Sequence, residues 1–116
     1  MSDSLEPILS TDKILVNRID DDLIARHRIV LKLSRAAYIA VAEVEQRQAH
    51  DLPITDENIK EAMTKRHNHQ VASASLWLDI RDRYKLWQQN LSLKEGYALV
   101  DRGTGTKINI IGMLGL

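Results

Sequence analysis

The sequence predicts an all-α protein, a long antiparallel helical hairpin that assembles into a homo-oligomer and ends in a short apolar C-terminal tail. Three observations predict it. Proline occurs only at Pro7 and Pro53 and the first glycine is Gly96, so between Ile19 and Tyr97 the one strong break is Asp51-Leu52-Pro53-Ile54-Thr55. Apolar residues recur at helical spacing on both sides of that break. Finally, the first helical segment carries more apolar circumference than a lone hairpin can hide.

The chain has 116 residues, room for one modest core, and its 16 Lys and Arg balance 16 Asp and Glu. That balance excludes a strongly basic or acidic tail protein. Cysteine is absent, which removes thiol catalysis and Cys-based zinc sites and fits a reducing compartment. The opening Met1-Ser2-Asp3-Ser4-Leu5-Glu6-Pro7 has no apolar core of the kind a signal peptide needs. No apolar run approaches the roughly 18 residues of a membrane span. A cytoplasmic location is expected, in the host if the source is viral, with no membrane partner.

The elements follow in order. Residues 1–18 form an N-terminal arm whose Ile8-Leu9 and Ile14-Leu15-Val16 should pack beside the far end of the second helix. The first helix runs from Asp20 to His50, with Asp20-Asp21-Asp22 complementing its dipole. Leu23, Val30, Ala37 and Val44 form one row, and Ile29, Leu33, Ala36 and Ala40 a second. The polar arc holds Arg28, Lys32, Arg35, Glu43 and Gln46, interrupted by Ile39.

The second helix should start near Asp56, capped by Thr55 or Asp56, and run to about Val100. Ile59, Met63, Arg66, Gln70, Ser73, Trp77, Ile80, Tyr84, Trp87 and Leu91 alternate steps of four and three, an a/d seam sustained over more than four heptads. A rod of that length spans on the order of 65–70 Å, against a radius of gyration of roughly 13 Å for a compact domain of this size. Self-assembly of hairpins resolves the mismatch, through a packing and oligomer seam of Ile29, Leu33, Ile59, Met63, Trp77, Ile80, Tyr84, Trp87 and Leu91. Residues 101–116 form the tail, from Asp101-Arg102-Gly103-Thr104-Gly105-Thr106 into the apolar stretch Lys107 to Leu116, which should dock on the oligomer or a partner.

Catalytic constellations are scarce, and no enzyme, cofactor or metal is expected. Gly103-Thr104-Gly105-Thr106 lacks the Lys-Ser/Thr ending of a phosphate loop. His67 and His69, two apart on a helix, point to opposite sides and cannot share a metal. A His27–Asp79 pair across the hairpin is geometrically open. Asp79 with Arg83, and Asp82 with Lys85, read as surface ion pairs.

The stronger signal is cationic. Arg28, Lys32 and Arg35 lie on one face of the first helix, and Arg81 and Lys85 flank the Trp77–Tyr84 seam of the second. Rows of cations suit phosphate backbones, and exposed aromatic faces suit unstacked bases. The alternative is a solvated face, with the aromatics in the core.

The stretch Ile54-Thr55-Asp56-Glu57-Asn58-Ile59-Lys60, the Ala/Ser-rich helix after it, and Tyr84-Lys85-Leu86-Trp87-Gln88-Gln89-Asn90-Leu91 resemble the UvsY-type phage recombination mediators. The resemblance covers Asp20 to Arg102. It implies an oligomer that binds single-stranded DNA and helps load a recombinase onto strands coated by a single-strand-binding protein. By position, Arg28, Lys32 and Arg35 would form its cationic strip, with Arg81 and Lys85 as helpers. A second class of function fits the same sequence, a viral assembly or host-takeover adaptor that binds protein through the helical face and the tail.

Overall fold

A computed structural model describes residues 5–87 and 90–103. Along the chain run β1 (Lys13–Val16), α1 (Asp21–Ala49), α2 (Asp56–Tyr84), β2 (Leu91–Lys94) and β3 (Ala98–Asp101). The protein is therefore mostly helical, with a small antiparallel sheet that the all-α expectation lacked. The described residues fall into two compact units. One is Ala25–Lys85, and the other combines residues up to Ile24 with those from Leu86 on.

The first of these units is the helical hairpin. Its turn is built by the chain's own termination chemistry. Asp51 takes a left-handed conformation (φ 54°). Its N–H donates to the Gln48 carbonyl at 3.2 Å, and the Leu52 N–H donates to the Arg47 carbonyl at 2.8 Å. These are the two bonds of a Schellman ending, here with Asp where Gly is usual. The next helix starts on a reciprocal cap: Thr55 Oγ1 accepts from the Asn58 N–H, and Asn58 Oδ1 accepts from the Thr55 N–H, both at 3.1 Å.

α2 ends at Tyr84, not near Val100. Lys85 adopts a left-handed conformation (φ 54°, ψ 52°) and its N–H closes on the Arg81 carbonyl. With 29 residues, α2 is about 43 Å long at 1.5 Å per residue. At that length α2 does not by itself call for self-assembly, which leaves exposed apolar surface as the ground for it.

The second unit holds the sheet, ordered β1-β3-β2 and antiparallel throughout. Leu93 faces Leu99 and Lys94 faces Ala98 across the β2–β3 hairpin. Gly96 (φ 71°) and Tyr97 (φ 58°) supply the positive φ angles of its tight connection. β1 pairs Ile14 with Val100 and Val16 with Leu99 around a bulge. The N-terminal arm thus becomes a strand, a pairing that helical periodicity could not suggest. In β3, Ala98, Leu99 and Val100 are all buried, the pattern of a strand covered on both faces. Ile19, Leu23, Ile24, Leu91, Leu93 and Tyr97 complete this core.

Lys94 is only 2 % exposed. Its ammonium lies 3.3 Å from Glu6 Oε2 and 3.9 Å from Asp12 Oδ2, while Asp12 also accepts from the Leu9 N–H at 2.7 Å. A buried cation needs such partners, so this group ties the arm to the sheet. The tail from residue 104 lies outside the described residues, and so does its expected docking.

Two outcomes check these anchors. Thr55→Ala should lower hairpin stability by about 1 kcal/mol in urea unfolding with little change in the slope. Lys94→Ala should cost about 3 kcal/mol because it strands the buried Asp12 carboxylate, and Lys94→Met with Asp12→Asn should cost less than that single change.

Candidate nucleic-acid and assembly surfaces

The hairpin's register is marked by Arg26, whose guanidinium reaches across from α1 to Asp79 and Ser75 of α2. Asp79 thus pairs across the hairpin with Arg26. Among the described residues no group of three or more His, Asp or Glu is placed to hold a metal. None of their helices is long and apolar enough to cross a membrane. Arg26 and Asp79 are both partly exposed, so their pair contributes on the order of 0.2–1 kcal/mol.

From Arg26, helical spacing leads along α1 through the buried Val30, Ala37 and Ala40, with Leu33 and Val44 half-buried. On α2 the buried residues are Ala62, Leu76 and Ile80, with Asn58, Lys65, His69 and Ala72 half-buried along the same row. The expected heptad seam coincides with this row only toward its C-terminal half. Ile80 is buried and Trp77 and Tyr84 are half-buried, but Ile59, Met63, Arg66 and Gln70 are exposed. The row that is covered sits one residue earlier, at Asn58, Ala62, Lys65 and His69. The cause is the mismatch between a strict 3.5-residue repeat and the 3.6-residue turn, about 20° per heptad. Three heptads separate Ile80 from Ile59, so on an unsupercoiled helix the row has rotated about 60° away.

Other seam residues also differ from expectation. Ile29 is exposed and Leu33 half-buried on α1. Leu91 is buried, but in β2 rather than on a helix. Trp87 lies beyond α2 and is 88 % exposed.

The five cationic candidates all belong to the hairpin unit, toward the end where α1 enters and α2 leaves. Arg28, Lys32 and Arg35 are exposed, roughly 180–240° around α1 from Arg26, on the side turned away from α2. Lys85 is exposed at the helix end and Arg81 is half-buried. The Arg81 Nε is covered and has no hydrogen-bond acceptor.

Chain-wide neutrality hides a strong segregation. Residues 25–85 carry eleven Lys and Arg against eight Asp and Glu, a net +3, and the remainder of the chain carries −3. Within the hairpin, residues 25–35 and 76–85 hold seven cations and two carboxylates, a net +5, whereas residues 36–75 hold four and six, a net −2. A zero net charge over 116 residues conceals this cationic end. Only the fold shows which stretches share one end. No protein-family model, curated protein or solved structure matches the chain.

Asp79→Asn should cost no more than about 1 kcal/mol in thermal or urea unfolding, as a part-exposed pair requires.

Proposed function

We propose that this chain is a non-enzymatic, self-associating protein that binds single-stranded DNA through the cationic end of its hairpin, as an accessory factor of phage recombination or replication. The single observation that carries this reading is the net +5 concentrated at that end, with Arg28, Lys32 and Arg35 in one exposed row. Steps of four and three put their charges on one helix face, which suits successive phosphates of a flexible strand. The likeness of the Ile54–Lys60 and Tyr84–Leu91 stretches to UvsY-type mediators points the same way, with a recombinase or a single-strand-binding protein as further partners. The setting would be the cytoplasm, of the host if the source is viral.

Self-association is supported by apolar side chains left uncovered on both helices, among them Tyr38, Ile39, Met63 and Leu78. The same exposure favours one second reading, an adaptor whose hairpin faces bind another protein, in viral assembly or host takeover. The two readings separate on nucleic acid.

For the first reading, single-stranded DNA should bind at low salt and release as salt rises. The combined change Arg28→Ala, Lys32→Ala and Arg35→Ala should abolish most of that affinity and flatten the log K against log salt slope by about 2, at roughly 0.7 per phosphate contact. Circular dichroism should stay unchanged. Full binding by the triple variant at low salt would discard the strip.

A further inference from the structure

The two flanks of the hairpin differ in kind. One is lined by polar bonds: Arg26 to Asp79 and Ser75 across the helices, Arg47 to the Pro53 carbonyl at the turn, and Lys65 to Glu61 along α2. On the other, Leu31, Tyr38 and Glu45 recur at steps of seven along α1, about 100–140° around from Arg26. On α2, Asp56, Ile59 and Met63 are displaced from the buried Ala62 row in the same rotational sense. In an antiparallel pair, positions displaced in the same sense share a side, as e faces e and g faces g in an antiparallel coiled coil. This flank is therefore an apolar stripe made by both helices. Tyr38 is 75 % and Met63 65 % exposed, and an open depression of about 630 Å³ runs beside Ile59, Met63 and His67.

Charge is distributed along that stripe with opposite signs at its two ends. Glu45 and Asp56 stand near the turn, and Arg81 and Lys85 stand at the other end. Since Arg26 lies level with Asp79 and Ser75, Glu45 and Arg81 sit at comparable distances, about 16 and 19 Å at 1.5 Å per residue, on either side of the level midway between Leu31 and Tyr38. Parallel packing of two such flanks would bring the two +5 ends together. A two-fold axis perpendicular to the hairpin, crossing midway between Leu31 and Tyr38, brings Tyr38 and Met63 of one copy toward Leu31 of the other and Arg81 toward the partner's Glu45. Like charges are then separated and opposite charges opposed.

We infer that the Leu31–Tyr38–Ile59–Met63 flank is the contact between two copies of this chain packed antiparallel, with Arg81 of each facing Glu45 of the other. This rests on the self-association proposed above and specifies its face and direction. The Arg28–Lys32–Arg35 row lies off this flank, so both rows of the pair stay open, one toward each end.

The test uses the full chain. Light scattering should give the mass of a dimer or an even multiple. Tyr38→Glu with Met63→Glu should halve that mass with the helical circular dichroism unchanged, since both side chains are exposed. Glu45→Arg should weaken association about tenfold, and adding Arg81→Glu to it should restore association, which a merely structural role for either residue would not produce. The chain has no cysteine, so a single Asp51→Cys can carry a spin label. Two turn-end labels should lie about 50 Å apart in the antiparallel pair and within about 20 Å in a parallel one. A monomeric wild-type chain would overturn both this inference and the self-association it rests on. A multimer untouched by the double Glu variant, or one with close labels, would overturn the face or the direction alone.

Discussion

The hairpin depends on how its turn satisfies backbone groups within a few residues. A helix leaves four carbonyls unpaired at its end and the next leaves four N–H groups unpaired at its start. Between Arg47 and Asn58 the chain meets part of both needs, through the left-handed Asp51 and the reciprocal Thr55–Asn58 cap. Pro53, which cannot donate, sits between them where no helical N–H is needed. Because this turn is short and well bonded, the two 29-residue helices lie antiparallel, and every later consequence follows from that register. Arg26 finds Asp79, and the cations in the first half of α1 share an end with those that close α2.

That juxtaposition gives the protein its electrical character. The seven cations of residues 25–35 and 76–85 repel one another, and the two carboxylates within those stretches, with Asp21 and Asp22 in the first turn of α1, offset them only in part. Such an arrangement costs stability through self-repulsion. An anionic ligand, or an acidic surface brought by another copy, relieves it. The polyanion reading and the antiparallel pairing draw on the same imbalance at different faces, the outer side of α1 and the apolar flank.

The sheet unit works on another principle. Its core is a row of consecutive buried residues in β3, flanked by Leu91 and Leu93 on one side and by β1 on the other. The arm is held by charge as well as by pairing, since Lys94 is enclosed beside the buried Asp12 and met from the surface by the exposed Glu6. A buried lysine is a poor source of net stability but a strong constraint on which segment may cover it. The enclosure thus specifies the arm's place more than it strengthens the fold.

The sequence by itself determined the two helices, the turn between them, the cap at Thr55 and the cationic face of α1. All of these rest on local rules of spacing, proline placement and side-chain-to-backbone bonding. It also signalled surplus apolar surface on α1. The tertiary structure decided where α2 stops, because Leu91-Ser92-Leu93-Lys94 can continue a helical pattern or form a strand, and pairing with Ala98–Asp101 and β1 selects the strand. It also decided which side of α2 is covered. A heptad row read along a sequence has no axis, and only packing against a straight neighbour reveals that Ile59 and Met63 have turned outward while Ala62 and Ile80 stay inside. The segregation of charge was present in the residues all along, but its meaning came from the fold, which gathers two distant stretches at one end.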